Sequence, residues 1–317
     1  MGSRRAALVT LALIATVTPG CGESTAKRAV DARAEVLGFF SVDAPVVAML
    51  DPQPPGDVAS LDQAAAGVPL WAEVRSTVVR RFEAAGLSAG DLRRLVRPQE
   101  PIEGLEAAAL GFGAPTPTDL EAGQTLLVLA TDQDELLENL LREAVDSGEL
   151  QPAGNLDEAE LYSNRTASYA ERDGVLVSAP SPGVVRSAIT RRDGDSDQQL
   201  DEDVVSAALR KLQDPGPLGV YVQAPELLGE PAVRRLFAGA SWIDSADDAA
   251  ASVRAAGETV EVEAVVNLDR DLEPADRPLG EQPEPVTFLL SGLGLGQVSG
   301  FGSATEDEVR LRLRIGP

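Results

Sequence analysis

Residues 124–148 read QTLLVLATDQDELLENLLREAVDSG, and this stretch decides the fold class. Leu126, Leu127, Val128, Leu129 and Ala130 are apolar at every position. A strand with no polar face belongs in the middle of a sheet, covered on both sides. Asp132 then stands before a helix, with Glu135 three residues on to complete a capping box. Leu136, Leu137, Leu140, Leu141, Ala144 and Val145 fall on one side of that helix. Gln133, Glu138, Arg142 and Glu143 take the other side, and Gly148 ends it. A doubly covered strand followed by an amphipathic helix requires a layered domain, in which helices lie against a sheet.

The flanking chain extends this pattern. Towards the C-terminus, Glu160 to Ser163 and Ala167 to Arg172 read as strands. Asp173-Gly174 is a two-residue hairpin signal, and Val175 to Ala179 returns from it. Ser181-Pro182 opens a helix carrying Val184, Val185, Ala188 and Ile189, and a second helix starts at Asp201 with Val204, Val205, Ala208, Leu209 and Leu212 turned inward. Leu218 to Gln223 is a strand, with a further helix after Pro225. Ala249 to Arg254 and Thr259 to Leu268 form a hairpin around Ala256-Gly257-Glu258. In its second arm Val260, Val262, Ala264 and Val266 alternate with outward-facing Glu261 and Glu263. Val286 to Leu290 and Val309 to Ile315 close the chain, the last strand pointing Arg310, Arg312 and Arg314 outward like an edge or half-exposed strand. Towards the N-terminus, Ala107 to Phe112, Val46 to Leu50 and Leu37 to Phe40 read as strands. A helix after Pro69 shows Trp71, Val74, Val78 and Phe82 on one face. The expected fold is α+β: a largely antiparallel sheet with helices packed on one face, built from loosely repeated strand-turn-helix and hairpin units near 126–145, 175–192 and 218–238.

The first residues carry a different message. Arg4 and Arg5 precede an apolar run from Ala6 to Thr18, too short for a bilayer span of about 20 residues, and Pro19 and Gly20 lead to Cys21. This reads as a signal peptide. The cysteine directly behind the apolar core resembles the lipobox of bacterial lipoproteins. Gly20 fits that pattern, whereas Thr18 stands where the usual leucine would be. The resemblance implies cleavage before Cys21 and a lipid on its thiol. The expected division is a signal at 1–20, a lipidated N-terminus and tether at 21–35, and an α+β domain at 36–273, with two subdomains split near 195 as an option. A proline-rich linker and C-terminal strands follow at 274–317.

Composition excludes several chemistries. The 317 residues include no histidine, one cysteine, and 51 Asp+Glu against 27 Lys+Arg, for a formal net charge of −24. Without histidine there is no Ser-His-Asp system and no His-ligated metal. A sole cysteine spent on lipid leaves no thiolate for zinc or iron–sulfur ligation. So acidic a surface repels nucleic acid, whose binding needs Lys and Arg on phosphates. Abundant Ala, Gly, Pro and Arg, with only Lys27 and Lys211 as lysines, is the usage of a GC-rich bacterial genome.

Three further stretches invite a site. Asp193, Asp195 and Asp197 alternate like the start of a calcium loop. However, Gln198 replaces the turn glycine and Val204 the closing acid, so the stretch reads as a solvated loop before a helix cap. Gly292, Gly294, Gly296 and Gly300 lack the dinucleotide-loop spacing and precede acidic residues, which favours a flexible turn between strands. Of the two tryptophans, Trp71 reads as core and Trp242 as the better candidate for an exposed aromatic.

With these units in place the chain resembles the DUF3352 group of bacterial proteins. The matching residues are Ala44 to Pro52, Leu126 to Leu141, Gly174 to Ala179, Ser196 to Leu209 and Leu218 to Val222. The resemblance implies an extracytoplasmic or membrane-attached protein without an assigned activity, and brings no functional residues. The expected function is an exported, lipid-anchored, non-catalytic binding or scaffolding module at the outer face of a bacterial membrane. It needs no cofactor, and its partners are the membrane through Cys21 and another envelope protein. The alternatives are a carrier or receptor for an apolar small ligand and a carboxylate-dependent hydrolase.

Overall fold

A computed structural model describes residues 32–50, 60–61, 63–66, 105–112, 126–131, 134–156, 159–165, 167–194, 196–214, 216–228, 234, 242–271, 297–305 and 307–316. Cys21, Trp71, the helix expected after Pro69 and the strand expected at Val286 to Leu290 lie outside these residues.

Twelve strands form one sheet. They are β1 (Val46–Leu50), β2 (Leu105–Phe112), β3 (Leu126–Thr131), β4 (Gln151–Leu156), β5 (Ala159–Ser163), β6 (Ser168–Arg172), β7 (Val175–Ala179), β8 (Leu218–Gln223), β9 (Ala246–Ala256), β10 (Thr259–Leu268), β11 (Gln297–Ala304) and β12 (Glu308–Gly316). Their order across the sheet is β11-β12-β10-β9-β8-β1-β2-β3-β7-β6-β5-β4. Every adjacent pair is antiparallel. β1 sits near the middle, paired with β2 on one side and β8 on the other, so it joins segments from either side of residue 195. Among the described residues, the helices past residue 130 are α1 (Asp134–Asp146), α2 (Pro182–Asp193), α3 (Glu202–Leu209) and α4 (Ala224–Leu228). The fold is thus α+β with a large antiparallel sheet.

The helices are not confined to one face, which corrects the sequence reading. Alternate residues of the central strands enter two separate apolar clusters. Ala48, Ala108, Leu110, Leu129 and Leu176 join Leu137, Leu141 and Ala144 of α1. Val47, Met49, Ala107, Ala109, Val128, Val175 and Val177 join Val185, Ala188 and Ile189 of α2 and Val205 and Ala208 of α3. The physical reason is the composition of β3 and β7: a strand apolar on both faces needs cover on both. Each buried Val or Leu contributes roughly 1.5–3 kcal/mol.

Local chemistry explains most of the elements. Asp173 (φ 53°) and Gly174 (φ 79°) both take left-handed backbone, as the tight turn joining β6 and β7 requires. The Asp201 side chain caps α3 by accepting from the Asp203 N–H at 2.8 Å. Ser181 occupies the α2 cap position, yet its hydroxyl makes no capping bond there, and Pro182 supplies the preset first turn instead. Val204 is exposed rather than inward, because the buried stripe of α3 runs through Val205, Ala208 and, beyond its end, Leu212.

Three elements correct the sequence reading. Residues 32–37 are helical and 38–40 turn, where a strand was expected, and Ala32 is already part of the core. The described helix therefore reaches into the stretch assigned to the tether. β4 contains Pro152 and Gly154 (φ 115°), residues that normally break a strand. It survives because it terminates the sheet, where a missing N–H and a register shift between Pro152 and Gly154 are tolerated. Gly300 belongs to β11, not to a turn. With β11 paired along its full length, β12 is an interior strand rather than an edge, while the other alternative holds: it is half-exposed, its arginine face the wetter one.

Candidate functional site

β10 builds the most polar buried surface among the described residues. Its Val260, Val262, Ala264 and Val266 face one side, as expected from their alternation. Glu261 and Glu263 face the other side and are buried, only 6% and 7% exposed, contrary to the outward direction expected for them. Registration explains what accepts them. Across β9, β10 and β12 the opposed residues form four rows: Arg254, Glu261 and Arg314; Ser252, Glu263 and Arg312; Ala250, Val265 and Arg310; Asp248, Asn267 and Glu308. Directly opposed residues in antiparallel strands share a face, so each buried acid meets basic or hydroxyl partners on its neighbours.

The connection between α3 and β8 lies over these rows. The backbone N–H groups of Gln213 and Asp214 each donate to one Glu263 oxygen, both at 3.1 Å. Gly216 N–H donates to the Ser252 hydroxyl. A Cβ at Gly216 would stand 2.2 Å from the Val253 carbonyl oxygen, so only glycine allows the loop to lie this close to the sheet. The Asp214 carboxylate receives Arg254 at 3.3 Å and Arg312 at 3.5 Å. At the far end of the loop Lys211 Nζ donates to Asn267 Oδ1 at 2.6 Å.

The electrostatics follow from these partners. Arg314 donates to Glu261 and holds its carboxyl below the usual carboxylate range. Burial opposes this shift, and Arg254, donating at 2.7 Å, reinforces it. Glu261 therefore stays ionised near neutrality and is no proton donor. Glu263 has both oxygens engaged by backbone N–H groups, with Arg312 at 3.5 Å and Arg310 at 3.8 Å. Arg310 Nη1 is buried without a hydrogen-bond partner among the described residues, its Nε being given to Glu308 at 2.6 Å. Asp248 differs. Burial pushes its carboxyl up, against a bond accepted from Asn267, while the Asp247 charge raises it further and Lys211 lowers it. The neighbouring Tyr221 hydroxyl is pushed up to about 12 by burial and then by the Asp248 and Asp247 charges.

The residues singled out in the sequence lie elsewhere. Asp193 ends α2 and pairs with Arg172 across the β6–β7 hairpin, so its carboxylate already has a cationic partner. Asp197 is exposed in a short 3-10 turn, Ser196–Gln198, and Asp195 lies outside the described residues. Among the described residues no three acidic or thiol side chains converge as a metal site. Trp242 is buried at 8% exposure against Ala246, Val266 and Val309, which corrects its reading as an exposed aromatic. No described helix is long and apolar enough to cross a membrane. The β10 rows were missed because a Val-Glu alternation looks half-wet. The matching signal was Arg310, Arg312 and Arg314 on β12, the same period with the opposite charge.

No family model matches the chain, and neither does any curated protein. Among solved structures, crystal form III of TP0453 is similar at 11% identity and a TM-score of 0.47, covering 88% of this chain and 93% of that one. Crystal form I is similar at 12% identity and a TM-score of 0.46, covering 89% and 91%. Crystal form IV is similar at 11% identity and a TM-score of 0.46, covering 90% and 95%. Likeness at this distance has no bearing on what the chain does.

Proposed function

We propose that the chain is exported, held at the outer face of a bacterial membrane by a lipid on Cys21, and serves there as a non-catalytic binding or scaffolding module for another envelope protein. The observation that carries the reading is the placement of Cys21. It is the sole cysteine, it follows Arg4, Arg5 and the apolar run Ala6 to Thr18, and only a short stretch separates it from the first helical residue described, Ala32. Such an anchor suits a chain of net charge −24, whose two signal arginines are lost on cleavage and which anionic headgroups would otherwise repel. The body supports the module reading because both faces of its central strands are filled by its own side chains. The buried acids of β10 are likewise taken up by ion pairs and backbone N–H groups. The resemblance to the DUF3352 group and the loose repetition of strand-turn-helix units belong to the same proposal.

Fractionation tests the anchor. Wild-type protein should sediment with membranes and be released by detergent, and Cys21→Ala should leave it uncleaved or soluble. A Cys21→Ala protein that is processed normally and still sediments would refute lipidation at this residue.

A further inference from the structure

The end of the β10 rows brings an amine, a carboxamide and a carboxyl group together in sequence-distant elements. Lys211 follows α3, Asn267 stands near the end of β10, and Asp248 faces it directly across β9. Lys211 Nζ is 2.6 Å from Asn267 Oδ1. The Asn267 amide nitrogen donates to Asp248 Oδ1. The pairing of β9 with β10 shifts register between Asn267 and Leu268, an irregularity of the kind found where a strand re-aims a side chain. Lys211 is one of only two lysines in the chain, and the other, Lys27, precedes the described residues.

We propose that Lys211 and Asn267 are the two ends of an intramolecular isopeptide bond, with Asp248 as the catalytic carboxyl group that moves its protons. The chemistry needs no cofactor. The exposed Lys211 ammonium gives up a proton, which reaches the Asp248 carboxylate through solvent, and the free amine attacks Cγ of Asn267. The new Nζ–Cγ bond forms as the Cγ–Nδ2 bond breaks. Asp248 returns a proton to Nδ2, which leaves with the bonding pair as ammonia, and the attacking nitrogen gives up its surplus proton to water. Overall an ammonium and a primary amide become a secondary amide and an ammonium ion, with no change of oxidation state. Three features favour the step. The amine already lies within hydrogen-bond distance of the carboxamide oxygen, which turns a bimolecular reaction into a unimolecular one. Asp248 touches the leaving nitrogen. Its half-buried position raises its proton affinity, so it can hold a proton between the two transfers. Lys211 is exposed, so ammonia escapes to water and the bond is not reversed. The product would tie the α3–β8 connection covalently to β10, at the point where Glu263 and Ser252 already hold it.

Mass spectrometry of the purified full chain tests this. Folded wild-type protein should be one ammonia lighter than the mass calculated for its processed form, with the mass of the unfolded Lys211→Arg chain, corrected for the substitution, as the reference. A protease digest should yield one branched peptide containing both Lys211 and Asn267. Lys211→Arg keeps the charge and the hydrogen bond, and it should restore the full mass while circular dichroism stays native. Asp248→Ala should also restore it. Separate recovery of unmodified Lys211 and Asn267 peptides from aged, folded wild-type protein would overturn the proposal. So would an ammonia loss mapped to Asn267 alone, as a succinimide, or a branched peptide persisting in Lys211→Arg. A branched peptide persisting in folded Asp248→Ala would overturn the role of Asp248.

Discussion

Strands β3 and β10 are both interior strands that bury residues on both faces, yet they achieve this by different chemistry. β3 is apolar throughout, and its Val128 and Leu129 enter opposite clusters beneath α2 and beside α1. β10 is apolar on one face only. Its other face buries Glu261 and Glu263 under arginines and a backbone loop. The contrast shows that periodicity marks which side chains share a face, while the neighbours decide whether a polar face is wet. Carboxylates can be buried when the adjacent strands repeat the same period in the opposite charge, since each ion then keeps a partner.

The largest effect is expected on the apolar side. Leu141 is 3% exposed in the cluster that also holds Leu129 and Leu176. Leu141→Ala should cost about 2–5 kcal/mol by removing transfer energy and leaving a cavity. Chemical denaturation measures this directly, and an unchanged midpoint would show that the α1 face is not core. A smaller loss is expected on the polar side. Glu263→Ala leaves the Gln213 and Asp214 N–H groups without their acceptor and should cost about 1–3 kcal/mol. The loss should come with faster amide hydrogen exchange at those two residues. Exchange unchanged at Gln213 and Asp214 would mean that the loop is held by something other than Glu263.

The parts of the fold that the sequence revealed are those in which one residue type decides one structure. Asp173-Gly174 could only be a tight turn, the Leu126 to Ala130 run could only be an interior strand, and Asp201 caps α3 as expected. The rest depended on partners far along the chain. β4 was hidden by Pro152 and Gly154, which are permitted only because the strand ends the sheet. β11 was hidden by its glycines, and without β11 the arginine strand β12 looked like an edge. Helices on both faces follow from the same apolar runs, since a strand without a polar face needs cover on each side. The Lys211, Asn267 and Asp248 group was invisible for a simpler reason. No spacing links residues that meet only through strand register.

The smallest effect is expected at Glu261, and its pH dependence separates the two kinds of burial. Glu261→Gln keeps the shape and one oxygen that still accepts from an arginine, so the loss at neutral pH should be about that of one ordinary hydrogen bond, roughly 0.5–1.5 kcal/mol. The Glu261 carboxyl is held below its usual value of 4.5 in the folded protein, chiefly by the Arg314 bond. Unfolded chains therefore bind this proton first as the pH falls, and linkage requires the folded state to lose stability over that interval. The stabilisation by Glu261 is fully present above its unfolded pKa and is lost as the pH drops through the lower folded one. Glu35 and Asp248 act in the opposite sense. Burial raises both, so the cost of their charge is relieved on acidification. They are present in both proteins and cancel in the difference between wild type and Glu261→Gln. That difference, measured by denaturation from neutral pH down through the carboxylate range, should be largest at neutral pH and shrink towards zero in acid. For Leu141→Ala the same series should give a difference that does not depend on pH. A Glu261→Gln difference that stayed constant into acid would mean that Glu261 contributes by packing alone, and the chemical distinction between the two strands would disappear.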